Sequence, residues 1–163
     1  MTPSSKKINR FWLLAIAGAL FFNSCSQIDV FENNATIPHY KWDRNYKASG
    51  TFTISDTLAS YNIYIVLRHK DSYQYNNIWL NVGWQGPGDT MFFQKVELKL
   101  AYNDASGWEG TGMDDIWEVR KLIFGQPRRF IKKGQYHFSI SQIMRDNPLP
   151  GIMNAGLRVE KAQ

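Results

Sequence analysis

The sequence predicts an all-β fold, a single antiparallel β-sandwich of jelly-roll type with one short helix near the C-terminus. Three observations predict it. Apolar side chains recur at every second position in a series of short runs, as in half-buried strands. Turn-forming residues separate those runs. Aromatic residues make up 15% of the chain, a richness suited to filling the space between sheets.

The first element is an export signal. Residues 1–10 are polar and carry Lys6, Lys7 and Arg10; twelve uncharged, mostly apolar residues follow (Phe11–Phe22), then Asn23-Ser24-Cys25-Ser26. A positive start, a short apolar stretch and a small-residue junction are the marks of a cleaved signal peptide. As a helix the apolar run would span about 18 Å, well short of the roughly 30 Å hydrocarbon core. Cys25 is the single cysteine of the chain. An unpaired cysteine in an exported protein is accounted for by lipidation, in which a diacylglycerol thioether consumes the thiol. Ser24 is small, as lipoprotein processing requires, whereas Phe22 and Asn23 depart from the usual pattern. Ser26 stands where Asp would signal retention at the inner membrane, which favours the outer membrane. No acidic run follows Cys25, so the periplasmic face is expected. Removal of residues 1–24 leaves 163 − 24 = 139 residues with a formal charge of 5 − 3 = +2. That near-balance, with no dense basic stripe, excludes a nucleic-acid partner.

The expected organisation is therefore a signal peptide (1–24), a lipidated tether or arm (25–48) and a sandwich (49–163). In the arm, Ile37, Tyr40 and Trp42 are expected to tuck onto the domain edge. Thr51–Ser55 alternates through Phe52 and Ile54. Asn62–Arg68 places Ile63, Ile65 and Leu67 on one face and Tyr64 and Val66 on the other, a strand covered on both sides. Ile78, Leu80, Val82 and Trp84 share a face, as do Phe92, Val96, Leu98 and Leu100. Trp117–Phe124 mixes apolar and charged residues, Gln135–Ile140 alternates through Tyr136 and Phe138, and Gly156–Glu160 closes the chain. Turn chemistry falls at Asn76-Asn77, Gly86–Asp89, Asn103-Asp104, Gly107 and Lys133-Gly134. Ser141–Asp146 reads as the short helix, stopped by Pro148 and Pro150.

The sequence carries little reactive chemistry. His39, His69 and His137 lack metal-ligand spacing, no calcium loop or phosphate-binding loop occurs, and no nucleophile motif stands out. No cofactor or metal is expected. Asp114, Asp115 and Glu118 could in principle flank a glycosidic bond, though loop acids commonly serve backbone amides. Aromatics are the better hint. Tyr73, Tyr75, Trp79, Trp84, Trp108 and Trp117 lie near loops or strand ends, where rings contact protein partners or sugar faces. Trp108, in a turn-rich stretch, is the expected exposed anchor, with Asp114, Asp115 and Trp117 beside it in a candidate partner-binding region. Asp56-Thr57-Leu58 and Asp89-Thr90-Met91 resemble O-glycosylation triplets, making Thr57 and Thr90 candidate acceptors.

Tyr61–Asn81, Pro87–Thr90, Gly110–Glu118 and Gln142–Pro150, in order and at plausible spacing, resemble the GldH family of gliding-motility lipoproteins of Bacteroidota. The resemblance implies a membrane-anchored, non-enzymatic role in gliding motility and the allied type IX secretion machinery, among other envelope proteins. It places the lipid on Cys25. A carbohydrate-binding sandwich is the alternative, with a glycan as its partner, and a hydrolase using Asp114, Asp115 or Glu118 is a third reading.

Overall fold

The computed structural model describes residues 30–102 and 107–162. Cys25 and the signal segment lie outside the described residues, as does the Asn103-Asp104 turn. Twelve strands occur in chain order: β1 (Val30–Thr36), β2 (Lys41–Trp42), β3 (Ala48–Ile54), β4 (Ser60–Lys70), β5 (Asn77–Gln85), β6 (Phe92–Lys99), β7 (Thr111–Met113), β8 (Ile116–Leu122), β9 (Arg128–Arg129), β10 (Gly134–Gln142), β11 (Leu149–Pro150) and β12 (Ile152–Lys161). One sheet runs β1-β12-β4-β8-β7, with β9 added beside β4; the other runs β3-β10-β5-β6; β2 and β11 form a small ladder of their own. Every pairing is antiparallel. Among the described residues no helix is long and apolar enough to cross a membrane.

The period-two pattern becomes the core directly. Ile63, Ile65 and Leu67 of β4 and Ala155, Leu157 and Val159 of β12 face Phe52 and Ile54 of β3, Leu80 and Val82 of β5, and Phe138 and Ile140 of β10 in one buried cluster. Rings bridge the sheets: Phe31 of β1 lies 5.6 Å from Phe52 of β3, and Tyr61 of β4 meets Phe130, which in turn meets Tyr136 of β10. β4 is buried on both faces, since Val66 is also inaccessible. Burial of this apolar area is the main stabilising term.

Two expectations give way. Ser141–Asp146 is not a helix: Ser141 and Gln142 continue β10 opposite Asn81 and Leu80. Six residues are too few to hold a helix without tertiary help, and the buried Gln142 amide instead donates to the Trp42 and Asp146 carbonyls while accepting from the Met144 amide. The arm before residue 49 contributes strands of its own to the fold. β1 pairs with β12 along its whole length, and Ile37 and Trp42 are fully buried. Among the described residues, sheet membership thus begins at Val30. Phe92, assigned to the interior, is 65% exposed because it sits at the end of β6, an edge strand.

The register sorts the loops between two ends. Val30 pairs with Glu160, Lys161 with Tyr61, and Ser60 with Arg129. The start of β1, the 55–59 loop, the 86–91 turn and the 123–133 loop therefore share one end. Thr36, Lys70 and Ile116 mark the other, together with the 71–76 loop and the 114–115 turn.

Two substitutions measure the frame. Ile65→Ala should lower unfolding free energy by about 2–5 kcal/mol through the cavity it leaves. Gln142→Ala should cost about 1–3 kcal/mol by orphaning the buried Trp42 and Asp146 carbonyls. Urea titration followed by tryptophan fluorescence checks both.

Candidate functional site

The expected site residues fall at the second of these ends. Met113 pairs with Ile116, so Asp114-Asp115 is the two-residue turn of the β7–β8 hairpin. Asp114 adopts φ 55°, a left-handed conformation that such turns require and that Asp tolerates. The two adjacent carboxylates are thus a consequence of turn geometry. Behind the turn, Trp117 lies across Gly112: a Cβ there would come within 2.8 Å of the indole, so only glycine lets the ring lie flat on β7.

Trp108 is not the exposed anchor expected of it. It is half-buried and packs edge-on against His69 at 4.6 Å. Its indole N–H donates to Oδ1 of Asp71 at 2.8 Å, and the Trp117 indole N–H donates to the same oxygen at 3.2 Å. The Asp71 amide donates to the Asp115 carbonyl at 2.7 Å. A single residue just past β4 thus ties together Trp108 and Trp117 through its carboxylate and the 114–115 turn through its amide. Sequence reasoning missed Asp71, because its partners lie 37 and 46 positions away and nothing local marks it. Exposed at this end are Asp114, Asp115, Met113, at 73%, and Tyr40, whose ring carries the Lys70 ammonium 4.9 Å above it.

Beneath them His69 is fully buried. Its Nδ1–H donates to the Lys70 carbonyl, and Nε2 has no partner among the described residues. Burial holds its pKa below the ordinary value, outweighing the opposing pull of the Lys70 carbonyl and the Asp71 charge. It is a neutral packing residue.

Other acids among the described residues are engaged. Glu118 receives Arg68 on one oxygen at 2.6 Å and Arg120 on the other at 2.8 Å. Glu32 takes Arg158 at 2.9 Å. Burial pushes the Glu32 carboxyl up, but the bonds from Arg158 and Asn34 and the nearby guanidinium charges together hold it below the usual range. No group of three or more His, Cys, Asp or Glu among the described residues could hold a metal. The two glycosylation candidates lie at the opposite end. Thr57 is half-buried in a turn closed by Asp56, which accepts from the Leu58 and Ala59 amides; Thr90 is exposed.

Comparison with known proteins adds an independent line. Residues 29–159 match the family described as GldH lipoprotein. A protein of Flavobacterium johnsoniae named gliding motility lipoprotein GldH is 27% identical over 162 residues, covering 95% of this chain and 98% of its own length. A GldH homolog of Christiangramia forsetii is 26% identical over 150 residues, covering 88% and 90%.

Two results are expected at this end. Asp71→Ala should destabilise the fold by roughly 1 kcal/mol and shift both indole N–H resonances, whereas Asp71→Asn, which keeps an acceptor oxygen, should do markedly less. Stability should also fall as pH drops below 6.5, the ordinary value for His69. The unfolded chain takes up a proton there and the folded one does not. The loss is complete once the folded form also charges. Thermal melts of His69→Gln should lack this component.

Proposed function

This chain belongs to the GldH lipoprotein family, and from that membership we propose that it is a lipid-anchored envelope subunit that supports gliding motility through protein–protein contact. The lipid sits on Cys25 after removal of residues 1–24. Ser26 and the lack of an acidic run behind it support the periplasmic face of the outer membrane, and the family role supports a place beside the type IX secretion machinery. The jelly-roll is our reading of the strand order. Taking the eight longest strands in sequence, each sheet interleaves strands from both halves of the chain, as two nested Greek keys do.

The observation that carries the binding role is the end built on Asp71. Two indoles, a tight turn and a carboxylate form a pre-organised patch with Met113 and Tyr40 at its surface. Rigid aromatic groups beside a flexible methionine suit a protein partner. The glycan alternative is less well supported, because the N–H edges of both Trp108 and Trp117 are committed to Asp71 and Trp108 is half-buried.

Met113→Asp combined with Asp115→Arg alters only exposed side chains. The variant should melt within about 1 °C of the parent yet lose envelope proteins that co-purify with the parent, and cells carrying it should lose colony spreading. Undiminished co-purification and spreading would reject this patch as the contact.

A further inference from the structure

The opposite end of the sandwich has a different chemistry. Leu58 is 79% exposed and Ile131 is 88% exposed. Their loops are joined, since the Arg129 guanidinium donates to the Leu58 carbonyl at 2.8 Å. Residues 125–134 contain Arg128, Arg129, Lys132 and Lys133 and no acid. The acids nearby among the described residues are ion-paired: Asp56 with Lys161 at 3.4 Å, Asp89 with Lys132 at 2.6 Å and Glu160 with Arg158 at 2.7 Å. Arg128, Arg129 and Lys133 form no ion pair among the described residues; Arg128 lies over the Phe124 ring at 4.6 Å. An aromatic cleft lined by Trp84, Phe92, Phe124 and Phe130 opens between the sheets at this same end. The Trp84 indole N–H is buried there without an acceptor among the described residues.

Exposed aliphatic tips beside cations that form no ion pair among the described residues match the layers of an anionic bilayer surface. Aliphatic tips enter the acyl boundary, and Lys and Arg meet lipid phosphates. Position agrees with chemistry. β1 begins at Val30, paired with Glu160 at this end, and Cys25 is five residues earlier. Five residues reach at most about 18 Å. We propose that the Leu58–Ile131 end of the sandwich docks directly on an anionic phospholipid surface, a second membrane contact beside the lipid. The docking turns the Asp71 end away from the bilayer. The positional part of the argument rests on the lipidation of Cys25; the surface chemistry does not.

The test uses the full mature-length chain carrying Cys25→Ser, so that no lipid contributes. It should sediment with pure phosphatidylglycerol vesicles roughly tenfold more than with pure phosphatidylcholine vesicles. Leu58→Asp with Ile131→Asp, or Arg128→Glu with Lys133→Glu, should reduce that binding about tenfold. Met113→Asp at the far end should leave it unchanged. Absence of sedimentation, or equal sedimentation of parent and end variants, would overturn the proposal. A dimer in ultracentrifugation that Leu58→Asp with Ile131→Asp abolishes would overturn it in favour of a second copy of the chain. The anchor is checked separately: a native mass with unmodified Cys25 would remove the lipidation reading and leave the vesicle result standing.

Discussion

β12 lies between β1 and β4, and its residues hydrogen-bond to both neighbours. The chain therefore closes by inserting its last strand between an early pair. An antiparallel ladder of this kind has a fixed register, because a slip of one residue would turn every inward side chain outward. Leu157 and Val159 must face the core, so Val30 must pair with Glu160, and Lys161 with Tyr61. From that register follows the sorting of loops. Each long strand crosses the molecule once, and successive connections alternate between the two ends. The start of β1 shares its end with the cationic 125–134 segment because the ladder leaves it no other place.

The two ends are stabilised differently, and the difference bears on what each can do. At the β1 end, rings pack between the sheets through Phe31, Phe52, Phe130 and Tyr136, and the charged side chains extend outward. That leaves aliphatic tips and cations free to meet a surface without disturbing the interior. At the other end, polar bonds hold the structure: Asp71 accepts from two indoles, and its amide reaches the hairpin turn. Directional bonds of this kind fix side-chain orientation more tightly than apolar contact does, as a recognition patch needs. His69 under Trp108 shows the cost, with a ring nitrogen buried and without a partner among the described residues.

Much of the fold was legible because alternation is a local signal. Spacing alone assigns Phe52 and Ile54, Ile63, Ile65 and Leu67, and Ile78, Leu80 and Val82 to the interior, and each of these is buried. What failed was non-local. Ser141–Asp146 has acceptable helical residues, but Gln142 is claimed by the Trp42 and Asp146 carbonyls, of which the first lies 100 positions away. Phe92 alternates correctly yet lies at the end of an edge strand, and strand order is not written in periodicity. The candidate site was half-legible. Trp108, Trp117, Asp114 and Asp115 do gather at one end, but Asp71, which gathers them, gives no sign of it in the sequence. The exposure assigned to Trp108 reversed because His69, on a different strand, fills the space beside it.

The use of acids bears on the choice between catalysis and binding. A glycosidase needs two carboxyls facing a substrate across several ångströms, one of them able to give a proton. Here Asp71 is held by indoles, Glu118 by two arginines, Glu32 by Arg158, and Asp146 by the Tyr75 hydroxyl at 2.6 Å. Asp114 and Asp115 sit side by side in a two-residue turn and are exposed. The carboxylates of Asp71, Glu118, Glu32 and Asp146 hold rings and strands together. The two surfaces proposed for lipid and for protein lie at opposite ends of the sandwich. A subunit with one end suited to lipid and the other to protein can hold a partner at a set distance from the membrane, and the length of β4, eleven residues from Ser60 to Lys70, sets much of that distance.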